Sequence, residues 1–264
     1  MSYKGPFRFG GYKQVLIIGA SSGIANLVLP EFNFENMLTV VTHRRNQNSN
    51  LSKEIQNVTF LEENFDLYSA ELIERLLVNF EASKPILVIS FVGVFGNVAA
   101  YEEFEIEDVI ETASKNLRFQ LILQKLSLVL PSGSLILSFS GAGVGGQTLE
   151  DASLGYLAGK AAIAVLNELA DTKTKNVRIA LIAPGPFPTR MQSVISNASY
   201  GAVSEERRMR ARDESGVTER VLKVCKMIDW LAANPDSAGG RMWSAQHDEL
   251  VAPIENNFGK IRRI

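Results

Sequence analysis

Tyr156 and Lys160 stand four residues apart at the head of a run of small residues, Ser153-Leu154-Gly155-Tyr156-Leu157-Ala158-Gly159-Lys160-Ala161-Ala162, which continues through Ile163 to Ala170. Ala and Leu favour helix, and residues i and i+4 share a helix face, so the phenol and the ammonium point the same way. A free tyrosine titrates at about pH 10 and is a poor acid or base near neutrality. A cation held beside it favours the phenolate and brings the hydroxyl toward the range useful for proton transfer. Taken alone, the pair reads equally well as a solvated helix face. Its meaning depends on what the rest of the chain brings to it.

The elements that must position this pair alternate regularly. Gln14 to Ile18 is a continuous apolar run with β-branched residues, the signature of a strand buried on both faces. Gly19-Ala20-Ser21-Ser22-Gly23-Ile24-Ala25 follows at once. Its small residues let the backbone turn tightly and approach a ligand, with the next helix aimed at a phosphate; the bland alternative is a plain strand-to-helix turn. Pro30 should end or kink that helix early. Met37 to Thr42 is a second strand, ending in His43-Arg44-Arg45 instead of the acidic residue expected to grip a ribose 2′-hydroxyl. Guanidinium groups suit a 2′-phosphate, so the pattern favours NADP(H), with NAD(H) the second option and two exposed loop arginines the bland one.

Val58 to Leu61 is a third strand, leading to Asn64-Phe65-Asp66-Leu67 and a helix from Ala70 to Phe80 that Lys84-Pro85 closes off. Ile86 to Ser90 is a fourth strand, running into Phe91-Val92-Gly93. Phe104 to Leu130 reads as one long helix. Asn116 inside it is a poor helix-interior residue and calls for either an exposed position or a local kink with a purpose. Ser134 to Ser140 is a fifth strand followed by Gly141-Ala142-Gly143-Val144-Gly145-Gly146; Val177 to Ala183 is a sixth, closed by Pro184-Gly185-Pro186-Phe187-Pro188-Thr189-Arg190. The mixed-charge run Ser204 to Glu214 reads as a solvated helix, and its place after a strand end makes 191–216 a candidate substrate lid. Thr218 to Ala232 reads as a helix and Gly239 to Ser244 as a last strand. Such alternation, without linker or repeat, specifies one α/β domain over residues 1–264, a doubly wound parallel sheet with helices on both faces.

Bulk properties narrow the partners. The 264 residues are 46% hydrophobic and 21% charged, as in an ordinary soluble globular protein, and the net charge of −2 gives no electrostatic case for nucleic acid or an anionic membrane. No stretch approaches the roughly 20 apolar residues needed to span a bilayer, and residues 1–12 do not read as a signal peptide. The single Cys225 excludes an intrachain disulfide and fits a reducing cytoplasm. His43 and His247 are the only histidines, so no metal cluster or histidine triad is expected.

Together these residues resemble the short-chain dehydrogenase/reductase family over nearly the whole chain. The resemblance places Gly19, Ser21, Ser22, Gly23 and Ile24 in the family's cofactor turn, with Ala25 where a third glycine is usual. It implies an adenine contact at Asp66 and Leu67, an active-site asparagine at Asn116 that kinks its helix and holds a relay water, and a catalytic serine at Ser140. Tyr156 and Lys160 match the family's Tyr-x-x-x-Lys; Pro184, Gly185 and Thr189 match its segment beside the nicotinamide. Two features depart from the pattern. The family's Asn-Asn-Ala-Gly is Ser90-Phe91-Val92-Gly93 here, keeping only Gly93. Ser140 lies farther before the tyrosine than usual, and Ser138, which shares a strand face with it, is the alternative.

The implied activity is hydride transfer between nicotinamide and a carbonyl or alcohol substrate. The tail Gly239 to Asp248 and the loop after Ser140 resemble members associated with sugar metabolism, and Arg190 with the arginines of 207–212 would suit a phosphate. A carbonyl or alcohol that is sugar-derived or nucleotide-linked is therefore the expected substrate. The rival readings are a non-catalytic NADP-binding sensor or scaffold, and a redox-neutral lyase or epimerase using bound NADP. Family habit further implies a homodimer or homotetramer, with contacts on the helices at 104–130 and 156–170.

Overall fold

The computed structural model describes residues 5–43, 58–62, 70–140, 153–174, 176–198 and 203–245. Strands β1 (Gln14–Ile18), β2 (Leu38–His43), β3 (Val58–Glu62), β4 (Leu87–Ser90), β5 (Ser134–Phe139), β6 (Val177–Ala183) and β7 (Met242–Ser244) form one sheet in the order β3-β2-β1-β4-β5-β6-β7. Every pairing is parallel. The strands alternate with helices α1 (Gly23–Val28), α2 (Ala70–Leu77), α3 (Ile106–Ser127), α4 (Leu154–Lys173), α5 (Arg190–Ser196), α6 (Glu205–Arg212), α7 (Val217–Ala233) and α8 (Pro235–Ala238).

Helices cover both faces, as the unbroken apolar strands require. Alternate residues of a strand point to opposite faces, and β1 divides its side chains accordingly. Val15 and Ile17 join Val28 of α1 and Val224, Ile228 and Leu231 of α7 in one core cluster. Leu16 and Ile18 join Leu72 and Leu76 of α2 and Phe119, Leu123 and Leu126 of α3 in the other. The chain winds outward from β1 to β3, then crosses back to place β4 on the other side of β1. That reversal opens a crevice at the carboxyl ends of β1 and β4, where ligands bind in open α/β sheets.

Pro30 acts as its lack of an N–H demands. The α-helix α1 stops at Val28 and tightens into a 3-10 turn over Leu29–Glu31. The long helix expected over 104–130 is shorter at both ends: α3 runs without interruption through Asn116 from Ile106 to Ser127, and a separate 3-10 turn at Tyr101–Glu103 precedes it. The amino-terminal arm is not loose. Phe9 is fully buried and stacks on Phe32 with ring centroids 4.0 Å apart, while Gly10 donates its N–H to Asp229 of α7 at 2.8 Å.

Among the described residues no helix is long and apolar enough to cross a membrane. The same residues contain no group of three His, Cys, Asp or Glu side chains that could hold a metal ion.

Candidate active site

The glycine turn closes onto the two strands that flank it. Gly19 adopts a left-handed backbone (φ +77°), and a Cβ there would stand 2.7 Å from Val92 Cγ2, so both conformation and space require glycine. Its N–H donates to Thr42 Oγ1 at 3.2 Å, and that of Ala20 to the Thr42 carbonyl at 3.0 Å, which binds the turn to the end of β2. Ser22 caps α1, its hydroxyl accepting from the Ala25 N–H at 3.1 Å. Capping leaves the N–H groups of Gly23 and Ile24 at the mouth of the turn without a helical acceptor. Ser21 and Ile24 are half-buried and Gly23 is exposed. Ala25 is fully buried in the core, where its methyl supplies packing that a third glycine would lack.

Across the crevice, β6 leads through Pro184 and Gly185 (φ +87°) to Thr189. Thr189 sits against Gly23, whose Cβ would lie 2.7 Å from both Cβ and Cγ2 of the threonine. It precedes α5 as its N-cap without using its hydroxyl to cap.

Tyr156 and Lys160 lie one turn apart on α4, and both are buried, Lys160 with only 4% of its surface exposed. The lysine Nζ donates to the Phe139 carbonyl at 2.8 Å and stands 5.6 Å from the centre of the Tyr156 ring. Burial pushes the Lys160 ammonium down from 10.5 to about 8, because a low-dielectric site disfavours the charged form. Gly93 completes the wall: a Cβ there would lie 3.5 Å from Lys160 Nζ and 3.8 Å from Asn116 Oδ1.

Two glycines bring α4 this close to α3. A Cβ on Gly155 would meet the Val109 carbonyl oxygen at 2.7 Å, and one on Gly159 would meet Asn116 Cβ at 2.8 Å. They immediately precede Tyr156 and Lys160, so the face that packs on α3 adjoins the face that carries the phenol and the ammonium. Asn116 is neither exposed nor marked by a break in the helix. It is buried, its amide donates to the Val94 carbonyl at 2.7 Å and the Thr112 carbonyl at 3.0 Å, and its Oδ1 accepts from the Val94 N–H at 3.2 Å. The side chain thus holds the backbone that leaves β4.

The two serines at the end of β5 are distinguished by their partners. Ser138 Oγ donates to Gln120 Oε1 of α3 at 3.4 Å. Ser140 Oγ is buried and has no hydrogen-bond partner among the described residues, although the Ser140 N–H is anchored on the Ile182 carbonyl at 2.8 Å. A buried hydroxyl without a partner is costly and uncommon, and here it lies one residue beyond the carbonyl that receives Lys160.

Several expected residues are not brought into this picture. Arg44, Arg45, Asp66 and Leu67 lie outside the described residues, as does the glycine-rich stretch 141–146. Of the arginines expected to meet a phosphate, Arg190 is exposed, but Arg208 and Arg212 donate to the Ala198 and Ser196 carbonyls at the end of α5. They hold α5 and α6 together.

Other contributors were not anticipated. Phe91, in place of a family asparagine, stacks on Phe139 with ring centroids 4.8 Å apart and so steadies the residue whose carbonyl anchors Lys160. Phe95 meets the Tyr156 ring edge-on at 5.1 Å. The Gly155/Gly159 pair was readable as a close helix contact from its four-residue spacing, whereas nothing local to Phe91 or Phe95 announces either contact.

Residues 13–199 match the short chain dehydrogenase family. No curated protein matches the chain. Among solved structures, a short-chain dehydrogenase/reductase from Saccharomyces cerevisiae is similar at 17% identity and a TM-score of 0.69, covering 90% of this chain and 98% of its own. The carbonyl reductase Sniffer of D. melanogaster gives 16% identity and a TM-score of 0.67, over 89% and 97%. A short chain dehydrogenase from Salmonella enterica gives 16% and 0.68, over 92% and 99%. Identities this low speak to the fold; the match over residues 13–199, most of the chain, speaks to descent. The chain belongs to the short-chain dehydrogenase/reductase family of oxidoreductases.

Proposed function

We propose that the chain is an NADP(H)-dependent oxidoreductase acting on a carbonyl or alcohol carbon, with Ser140, Tyr156, Lys160 and Asn116 as its working residues. The observation that carries this reading is the buried hydroxyl of Ser140, without a partner among the described residues and beside the Lys160 anchor. A substrate oxygen arriving there would supply the missing partner. When bound, the dinucleotide delivers or accepts the hydride. Gly19, Ser21, Ser22, Gly23 and Ile24 are the residues that would hold its phosphates, with Gly93, Pro184, Gly185 and Thr189 nearer the reacting ring. The Thr189 hydroxyl, unused in capping, is open to an amide.

The protein's part follows from the positions of its donors. Ser140 donates a hydrogen bond to the substrate oxygen, an aimed contact worth about 3–4 kcal/mol in a transition state where that oxygen gains charge. Tyr156 gives the oxygen its proton in reduction and takes it back in oxidation. The Lys160 ammonium stabilises the phenolate left behind. Asn116 keeps Gly93 and Val94 in place beside the lysine. The preference for the 2′-phosphorylated cofactor rests on Arg44 and Arg45, which follow β2 directly in sequence, and β2 is the strand bonded to the glycine turn. Asp66 and Leu67 are assigned to the adenine.

Self-association is part of the same proposal. Ile106, Ile110, Leu121 and Leu128 of the α3 segment and Val165 and Leu169 of α4 are exposed apolar side chains, a surface suited to a second copy of the chain.

The decisive experiment titrates NADPH and NADH by fluorescence, then screens ketones, aldehydes and sugar derivatives for NADPH oxidation, with Tyr156→Phe as control. NADPH binding with turnover lost in the variant is the expected result. Binding without turnover across the panel would favour a sensor or a redox-neutral enzyme.

A further inference from the structure

One stripe of α3 holds the coil that leaves β4. Asp108, Thr112 and Asn116 recur every four residues, so they line up along one helix face. Asn116 bonds both polar backbone groups of Val94. Thr112 occupies the space that a side chain on Gly96 (φ +75°) would need, its Oγ1 2.3 Å from where a Cβ would stand. Asp108 accepts a hydrogen bond from the Asn97 amide. Phe95 lies between these anchors, with its backbone fixed on both sides.

Its side chain joins two parts of the molecule that otherwise approach the site separately. On one side the Phe95 ring meets the Tyr156 ring edge-on, 5.1 Å between centroids and 61° between planes. On the other it packs against buried Ile195 of α5 and Val203, just before α6, together with Val98 and Ala198. It also lines a cavity of roughly 160 Å³ bounded by Thr112, Leu154 and Gly155, the last two directly preceding the tyrosine. A rigid aromatic side chain loses little freedom in such a place and transmits contact from one neighbour to the other.

We propose that Phe95 is a positioning residue that sets the covering helices α5 and α6 in register with the Tyr156 ring. The covering pair, held together by Arg208 and Arg212, then docks against the same side chain that orients the phenol. Substrate contacts made by the cover thereby reach the proton donor through one residue. The consequence for turnover rests on the oxidoreductase reading above; the consequence for the cover does not.

Three variants separate the two contacts. Phe95→Tyr keeps the ring and the bulk, Phe95→Leu keeps bulk without an aromatic edge, and Phe95→Ala removes both. Each is compared with the wild type for NADPH affinity, for kcat and KM on a compound from the carbonyl panel, and for the rate of tryptic cleavage within the arginine-bearing α6. NADPH affinity is expected to stay within twofold in all three. Phe95→Tyr should keep kcat within threefold. Phe95→Leu should lower kcat about tenfold with KM little changed, the loss of one aromatic contact felt in the transition state. Phe95→Ala should lower kcat at least as far, raise KM about tenfold, and speed cleavage of α6 several-fold.

Wild-type kcat in both Phe95→Leu and Phe95→Ala, or unchanged cleavage of α6 in Phe95→Ala, would overturn the proposal. A wild type that turns over nothing on the panel would instead refute the oxidoreductase reading. The cleavage rates alone then decide: faster cutting in Phe95→Ala but not in Phe95→Leu supports the docking role, and equal cutting in all variants removes it.

Discussion

Replacing Gly159 by alanine tests whether the close approach of α4 to α3 is what places Lys160. The new methyl would sit 2.8 Å from Asn116 Cβ and 3.3 Å from the Cα and carbonyl oxygen of Ala113. Carbon–carbon contacts are comfortable from about 3.5 Å, so α4 would have to retreat by about 0.7 Å, or Asn116 would have to give way. Neither is easy, since two of the three obstructing atoms are backbone and Asn116 is bonded to Val94 and Thr112. Overpacking of this kind costs about 1–3 kcal/mol, against which alanine regains about 1 kcal/mol of helix propensity. The net loss of about 0–2 kcal/mol should lower Tm by at most about 8 °C. Activity should suffer more, because a displacement approaching 1 Å at a catalytic group costs on the order of 100-fold. The assay pairs thermal unfolding with single-turnover NADPH oxidation. A variant with unchanged turnover and a raised Tm would refute the reasoning, showing that the helices tolerate the methyl and that the glycine serves no positioning purpose.

Other expectations follow from the same geometry. Ser140→Ala should lower kcat by about 100- to 1000-fold and leave Tm unchanged or raised, since it deletes a buried hydroxyl that has no partner among the described residues; Ser138→Ala should keep near-normal kcat, and the reverse ranking in steady-state kinetics would exchange their roles. For Lys160, whose folded value of about 8 lies below its ordinary 10.5, the unfolded chain binds the extra proton between those values. Unfolding free energy should therefore rise with pH from about 8 to 10.5, and denaturant titrations of Lys160→Met should show a flatter profile in that window than the wild type. The double variant Arg44→Ala/Arg45→Ala should weaken NADPH at least tenfold while leaving NADH within threefold, read by fluorescence titration; equal weakening of both would dissociate these arginines from the 2′-phosphate.

The strands were legible because they are buried on both faces and need no partner to be recognised. β1 and β6 fall on the residues that the apolar runs mark, and β2 and β5 differ by a single residue at their ends. Asn116 was legible as an anomaly but not as an answer. Its chemistry forbids an idle buried position, yet its partner Val94 is 22 residues away, a separation that no local pattern reveals. Ser138 and Ser140 could not be separated by strand geometry, and the hydrogen bond of Ser138 to Gln120 on a neighbouring helix is a difference between them that no strand pattern contains. The burial of the amino-terminal arm was not legible for a similar reason. Phe9 stands in a short glycine-rich stretch with no helix or strand periodicity, and its burial depends on Phe32, Phe34 and the far end of α7.

The four-residue rhythm of Asp108, Thr112 and Asn116 also makes this part of α3 a reading frame. Each residue added to or removed from a helix turns everything beyond it by about 100°. A deletion at Ala113 would thus swing Asn116 off Val94 while Asp108 kept its hold on Asn97, and the coil between them could not satisfy both. Point substitutions on the exposed side of α3, at Glu111 or Ser114 for example, leave the frame intact. A change of length between 108 and 116 cannot, whatever residue is gained or lost. The exposed side of this helix has room for substitution, and its length between 108 and 116 has none for change.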